Sequence, residues 1–298
     1  MDNTDDINTA IASAPPRVSE SRRIFRVLVS RPVVIVGFVI IFLNIIAAIF
    51  SPWIAPYDPY KPELGNALQS PSLTHPLGTD TMGRDSLSRL IYGARTSMTI
   101  GITAVAIASA IGITFGMVAG YFGGVINAIV MRFIDAFMAF PMIILILAIA
   151  AILGQGLVNI CISLGIGMMA VYARLVCGQV LSVKENDYVL AERSMGASSI
   201  RIMFYHIFPN CLAPVIVMMT MMLGGAILAE AGLSFLGIGI NPPGAAWGAM
   251  VNTGYRYLLS DPLLSFIPGI AIMAVVFAFN MVGDGLRDAL DPKLRGTL

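Results

Sequence analysis

The chain is poor in charge for its length. Asp, Glu, Lys and Arg together make up 12% of its 298 residues, whereas hydrophobic residues make up 57% and the mean hydropathy is +0.83. Soluble domains carry about 25% charged residues, so a water-exposed surface of this size could not be covered by so few charges. The composition predicts a polytopic protein in a lipid bilayer. Its net charge of +1 argues against a nucleic-acid partner.

Cysteine and histidine are also scarce. The three cysteines, Cys161, Cys177 and Cys211, lie in or beside apolar segments without C-x-x-C spacing, which predicts buried thiols. The two histidines, His75 and His206, are far apart and have no cysteine nearby, so no metal site is expected. The chain also lacks an H-E-x-x-H motif and a recognisable nucleophile–base pair, so it is not expected to be an enzyme.

A loop for binding nucleotide phosphates is missing as well. The stretch "GTDTMGRD" has two glycines at the spacing of G-x-x-x-x-G-K-[ST], but Arg84 replaces the lysine and Asp85 replaces the hydroxyl residue. No strand is predicted before it, and no other stretch fits the motif better. We expect an external turn that leads into a short helix near "DSLSRLIYG". Energy for any transport would then come from another subunit or from an ion gradient.

Long apolar runs are what the sequence has in abundance. A membrane-spanning helix needs about 20 such residues, and the pattern predicts an all-α protein with six transmembrane helices. Glycines within the runs, such as Gly112, Gly116 and Gly120, favour close helix packing. The predicted spans are 32–50, Ser97–Ala119, Phe133–Leu153 with a break at Pro141, Leu157–Val176, Cys211–Leu233 and Leu263–Val282.

Basic residues predict the orientation of these spans. Five arginines precede the first apolar run, which places the N-terminus in the cytoplasm, and six spans return the C-terminus to the same side. No cleavable signal is expected, because the first run is too long for a signal-peptide core. The arginines are Arg17, Arg22, Arg23, Arg26 and Arg31. The predicted parts are a cytoplasmic segment 1–31, a first helix 32–50, an external connection 51–96, a five-helix core 97–285 containing a cytoplasmic loop 177–209, and a cytoplasmic tail 286–298.

The cytoplasmic loop is predicted to form a helical elbow. The segment "NDYVLAERSM" opens with an Asn or Asp cap and continues with good helix formers. Gly196 interrupts the pattern, and a second helical stretch runs to Pro209. Such an elbow could place its exposed side chains in a groove on a partner. It could equally be a solvated connector, and the pattern alone leaves both interpretations open.

The stretch "DYVLAERSMGASSIRIMFYHIFPN" resembles the coupling-loop signature of permeases from binding-protein-dependent ABC importers. That signature reads E-A-A, three residues, Gly, nine residues, then I-x-L-P. Gly196 and Pro209 have its separation, and Ala191 matches its first alanine. The signature's Glu, second Ala, Ile and Leu are replaced, in that order, by Leu190, Glu192, His206 and Phe208.

Three further stretches resemble one branch of that family. "HPLGTDTMGRDSLSRLIYGARTSMTIG", "AEAGLSFLGIGINPPGAAWGAM" and "NMVGDGLRDALDPKLRG" look like the second permease subunit of dipeptide, oligopeptide and nickel importers. The resemblance implies a type I ABC importer permease fold in a bacterial plasma (inner) membrane. It implies a second homologous permease, two cytoplasmic ATPase subunits that bind ATP and Mg, and an extracytoplasmic substrate-binding protein. This chain would bind no cofactor. Peptides are the expected substrate, with nickel, glutathione and opine-like compounds as alternatives.

The same resemblance assigns contact with the ATPase to the elbow. It also implies that the outer stretch around Trp247 contacts the binding protein. The predicted coupling residues are Asp187, Tyr188, Ala191, Glu192, Arg193, Ser194, Met195, Gly196, Ala197 and Pro209.

Charges inside a membrane mark candidate functional sites, because each is costly unless it is paired or wetted. Arg132 and Asp135 are three residues apart, which predicts a local ion pair of structural or gating role, with substrate contact as the alternative. Arg174 is expected to snorkel to the interface. Glu230 lies near the predicted outer mouth. It is predicted to pair with the partner permease or act in gating, with a substrate amine or a metal cation as the alternative.

Met218 and Met222 belong to a methionine cluster in the fifth predicted span. The cluster is interpreted either as core filling or as a soft cavity wall that tolerates varied side chains.

Two other classes of membrane protein remain as rivals. A secondary transporter would be expected to show internal repeats and several membrane acids, but only Asp135 and Glu230 are available. A channel would need a ring of filter residues, and none stands out. Association with ATPase subunits would separate the importer from both rivals.

Overall fold

The structure is a computed structural model that describes residues 20–290, with the side chains of 20–23 excluded. Within these residues the helices are joined by turns and loops, and one isolated β-bridge links Thr79 and Asp85. A 3₁₀ turn, a short helical turn and a π-helical segment occupy Leu64–Asn66, Ser199–Arg201 and Ile202–Ile207. The longer helices are α1 (Glu20–Val29), α2 (Pro32–Ile54), α3 (Ser86–Phe122), α4 (Gly124–Met138), α5 (Met142–Leu153), α6 (Leu157–Val183), α7 (Asp187–Ser194), α8 (Phe208–Phe235), α9 (Trp247–Tyr255) and α10 (Leu263–Leu290).

Five of these helices, α2, α3, α6, α8 and α10, are long and apolar enough to cross a bilayer. The remaining predicted span, the third in chain order, corresponds to α4 and α5, which bend by 89° at the break between them. Proline lacks an N–H and disfavours a helical residue before it, so Pro141 ends the first helix. The predicted break is therefore confirmed. The third span is a sharply bent pair and not one straight helix.

The second span is longer than its apolar run. The sequence predicts it from Ser97, with a separate short helix near "DSLSRLIYG", but α3 runs unbroken from Ser86 to Phe122. Asp85 caps its first turn, where a carboxylate oxygen accepts from the backbone N–H of Ser88 at 2.8 Å. The expectation of a separate short helix was wrong, because no proline or glycine cluster stops the helix between the polar and apolar parts.

A row of glycines brings α3 against α6, and these two helices make the most extensive contact in the bundle. Gly112, Gly116 and Gly120 lie four residues apart on one face. A Cβ atom added at each would lie 2.5 Å from Tyr172 Cβ, 2.6 Å from Ala173 O and 2.7 Å from Val180 Cβ, respectively. Any side chain would therefore force the helices apart, which confirms the close packing predicted from these glycines.

The remaining helices surround this pair. α8 packs against α10, α3 and α6, while α2 lies against α3 and α10 at the edge of the bundle. The three cysteines are buried as predicted. Residues 1–19 and 291–298 of the predicted cytoplasmic ends lie outside the described residues, so the orientation of the termini stays a prediction.

Candidate functional site

The elbow that the sequence predicts on the cytoplasmic side is built from two helical pieces around a glycine. α7 ends at Ser194 in a pair of backbone hydrogen bonds: Gly196 N–H donates to Arg193 O, and Ala197 N–H donates to Glu192 O, both at 3.1 Å. This is the Schellman arrangement, which requires a left-handed residue after the helix. Gly196 supplies it with φ +81°. A Cβ atom there would meet nothing within 4 Å, so the backbone angle alone is what favours glycine.

Buried side chains attach the elbow firmly to the bundle. Val189 of α7 and two residues of the π-helical segment, Ile202 and Ile207, are buried. They share one apolar cluster with Met117 of α3 and Val180 of α6. Because a close-packed cluster resists deformation, a force on α7 is transmitted to the spans.

The opposite face of the elbow exposes large apolar side chains. Met195 is 73% exposed and Ile200 is 68% exposed, and Tyr188 and Leu190 are exposed beside them. Exposed apolar patches outside the spans typically mark contact surfaces. All of the predicted coupling residues from Asp187 to Ala197 lie on this elbow, whereas Pro209 lies in the first turn of α8.

A contact between Glu192 and His206 joins the two limbs of the elbow. Glu192 Oε2 lies 3.7 Å from His206 Nε2. These are two of the four positions at which the chain departs from the coupling-loop signature, so the departures meet in space. Their separation of fourteen residues gave no periodic signal in the sequence. The contact braces α7 against the π-helical segment.

The membrane charges pair differently from the prediction. Asp135 forms an ion pair with Arg174 of α6, so the expectation that it pairs with Arg132 was wrong. Arg174 binds a carboxylate where the sequence predicts a snorkelling side chain. The two residues lie 39 positions apart in the chain, and the packing of α4 beside α6 brings them together. Both partners are about half exposed on the surface of this chain.

Glu230 lies inside the chain, between α8 and α3. It is fully buried. Ser234 Oγ donates to its Oε1 at 2.7 Å and Ser97 Oγ donates to its Oε2 at 3.3 Å. The carboxyl thus links α8 to α3. In this conformation it can touch neither a substrate nor a partner permease. Nothing in the sequence indicated that Ser97 and Ser234 would be its hydrogen-bond partners.

The predicted pathway methionines occupy two settings. Both Met218 and Met222 pack at the edge of a buried cluster around Tyr172. Met218 also lines an open cavity of about 670 Å³ between α6, α8 and α10. Gln179 and Arg287 add polar groups to the same cavity, so its wall is apolar with a few polar positions.

The "GTDTMGRD" stretch folds as a buried polar turn. Gly78 and Gly83 take φ +70° and +73°. The Asp80 carboxylate accepts from Arg84 Nε at 2.8 Å and lies 3.4 Å from Arg89 Nε. A phosphate loop would aim backbone N–H groups at a bound anion. Here the Asp80 carboxylate already takes the place of that anion.

Arg89 also joins this turn to the loop that precedes α9. Its Nη1 donates to Pro59 O at 2.8 Å and to Pro243 O at 3.3 Å, while its Nη2 donates to Gly244 O at 3.3 Å. Trp247, which follows that loop, is buried and donates from Nε1 to Leu90 O at 2.9 Å. Its role is to hold α9 on α3.

Comparison with known families decides the class. Residues 112–296, more than half of the chain, match the family model described as "Binding-protein-dependent transport system inner membrane component". The chain belongs to this family. Residues 19–71 of the permease match a second model, "N-terminal TM domain of oligopeptide transport permease C". With its apolar spans, the permease is a multi-pass inner-membrane protein.

Several curated relatives cover nearly the whole permease. It is 42% identical to the dipeptide transport system permease protein DppC of Alkalihalophilus pseudofirmus, over 95% of each chain. It is also 42% identical to the di/tripeptide permease DppC of Pseudomonas aeruginosa, over 87% of this chain and 88% of the relative. A third relative, the glutathione transport system permease protein GsiD of Escherichia coli, is 42% identical over 86% of this chain and 85% of its own.

A solved structure supports the fold. A chain of the MetNI methionine ABC transporter, determined in inward-facing conformations, superposes with a TM-score of 0.57 and 18% sequence identity. The match covers 68% of the permease and 97% of the MetNI chain. The permease therefore has the type I ABC importer permease fold that the sequence predicts.

Proposed function

We propose that this permease forms half of the translocation pathway of an ATP-driven importer for short peptides. Its other half is a second homologous permease. Two cytoplasmic ATPase subunits bind ATP and Mg and supply the energy, and an extracytoplasmic binding protein delivers the peptide. This chain contributes no catalytic group to the cycle.

The elbow is the observation that carries the proposal. It presents exposed apolar side chains on one face and is fixed to α3 and α6 by buried side chains on the other. That combination suits a rigid knob held in a groove on a moving partner. A solvated connector would have no need of either feature.

The elbow converts closure of the ATPase pair into movement of the spans. ATP can drive the cycle only if it binds one conformation of the assembly better than the other. When the ATPase subunits close, the docked α7 is displaced, and the buried cluster around Val189 carries that displacement into the cytoplasmic ends of α3 and α6.

Short peptides fit both the relatives and the cavity. Two of the relatives named above carry dipeptide or di/tripeptide names. The cavity of about 670 Å³ beside Met218 is large enough for a small ligand, and flexible thioethers adapt to varied side chains. Glutathione is the second candidate, because a glutathione permease is equally identical.

The test is uptake by the complete assembly in proteoliposomes, with the binding protein added outside. We expect saturable, ATP-dependent accumulation of a labelled dipeptide, and none with a non-hydrolysable ATP analogue. Accumulation of glutathione alone would replace the peptide assignment with the second candidate. Uptake driven by a proton or sodium gradient without ATP would overturn the importer mechanism.

A further inference from the structure

The helix α1, which precedes the first span, is basic and amphipathic. Its sequence, ESRRIFRVLV, contains three arginines and a single acid. Arg22, Phe25, Arg26 and Val29 recur at the spacing of one helical face. Arg26 has no ion-pair partner among the described side chains, whereas Arg31, just after the helix, pairs with Asp288 of α10.

One face of α1 is fixed on the protein. Val27 is buried, and Leu28 reaches to 3.4 Å from where a Cβ atom on Gly285 would lie. With the ion pair between Arg31 and Asp288, these contacts hold α1 against the end of α10. The helix therefore has a fixed orientation relative to the bundle.

The other face of α1 continues the membrane-facing surface of α2. Phe25 is 69% exposed and Val29 is 48% exposed. They are followed by exposed Val33 and Val36 on α2, a span that lies at the edge of the bundle. Because α2 meets the acyl chains along this strip, Phe25 and Val29 lie where the strip reaches the headgroups.

We propose that the exposed face of α1 binds the headgroups of anionic phospholipids. The apolar side chains Phe25 and Val29 enter the acyl-chain boundary, Arg26 contacts the lipid phosphates, and the other two arginines in the sequence of the helix add positive charge. Basic amphipathic helices bind membranes through this combination of apolar insertion and charge. The bound lipid also supports α10, because Leu28 and Arg31 fix α1 to α10.

An acidic surface on a partner protein is the competing occupant. It fits less well, because Phe25 and Val29 are followed within a few residues by Val33 and Val36, which are exposed on the lipid-facing strip of α2. A protein partner would have to interrupt that strip. The lipid assignment does not depend on which substrate is carried or on how ATP is coupled.

The test places a fluorophore at Phe25→Cys in the assembled complex, reconstituted in mixed bilayers. The native cysteines of this chain are buried, and the labelled permease is assembled with unlabelled partner subunits, so the fluorophore lies only at residue 25. Quenching is compared between headgroup-spin-labelled phosphatidylglycerol and the matching phosphatidylcholine, which gives the relative affinity of the site for the two lipids. Each arginine near an anionic surface contributes about fivefold to such a preference.

We expect clear selectivity for phosphatidylglycerol in the labelled protein. The triple change Arg22→Gln, Arg23→Gln and Arg26→Gln should lower that selectivity roughly tenfold or more. The matched change of the same three residues to Lys should keep it within about threefold, because charge is retained. Equal quenching by the two lipids in the labelled protein, or unchanged selectivity after the Gln substitutions, overturns the proposal. So does a label that neither lipid quenches, if a photocrosslinker attached at the same cysteine instead links to an ATPase subunit.

Discussion

The left-handed conformation of Gly196 predicts how far a substitution there weakens the contact between the elbow and the ATPase subunit. Its φ of +81° lies in the left-handed region, which costs a residue with a Cβ about 1–2 kcal/mol. A Cβ atom there has open space around it, so no clash adds to that cost. If docking requires the closed Schellman turn, Gly196→Ala should weaken the contact with the ATPase by a factor of about 5–30.

A substitution series separates backbone strain from side-chain size. Asn tolerates the left-handed region much better than other residues, so Gly196→Asn should weaken docking only about threefold or less. Gly196→Val should be the worst of the three, because a β-branched residue is a genuine outlier there. The predicted order of affinity is therefore Gly, Asn, Ala, Val.

The assay is a titration of purified ATPase subunits onto permease-containing proteoliposomes, with stimulated ATP hydrolysis as the readout. Equal amounts of membrane-inserted permease are verified for each variant. If Asn weakens docking as severely as Val, the partner fills the open space beside Gly196 and size decides. If all three variants match the wild type, the turn is not part of the contact and the reasoning fails.

Two further predictions follow from buried polar contacts. Glu230→Gln should stay near wild type in thermal stability and uptake, because an amide can keep both serine contacts. Glu230→Ala should lower the free energy of unfolding by about 3 kcal/mol. A Gln variant as unstable as the Ala variant would contradict this. Arg89→Lys should cost about 2 kcal/mol, because an ammonium cannot reach the carbonyls of both outer loops. Thermal unfolding measures the loss of stability, and limited proteolysis near Pro243 reports whether the loop has loosened. Unchanged cleavage there would argue against the role of Arg89 in holding the two loops together.

Local signals in the sequence predicted the elbow well. Gly196 and Pro209 are separated by a fixed spacing, and a glycine after a run of helix formers is how a Schellman turn is written in sequence. The glycines at 112, 116 and 120 likewise needed only a helical period to predict a close approach. These features depend on residues near one another in the chain.

Features that depend on distant residues were missed. The ion pair between Asp135 and Arg174 joins residues 39 positions apart in the chain, whereas a helical period within one segment could only suggest Arg132. The polar start of α3 lay outside every apolar window because it carries arginines, and the Pro59 carbonyl that accepts from Arg89 lies 30 residues away in the chain. Glu230 seemed unpartnered because hydroxyl groups carry no charge signal.

The central claim is that α7 docks on an ATPase subunit, and one substitution tests it most directly. Ala191 is exposed in the middle of α7, so Ala191→Arg keeps a good helix former but adds a bulky charged side chain to the docking face. Ala191→Ser is the matched control. We predict that the Arg variant inserts normally but loses co-purification of the ATPase subunits and binding-protein-stimulated ATP hydrolysis, while the Ser variant keeps both. An Arg variant with wild-type co-purification and hydrolysis would contradict the account.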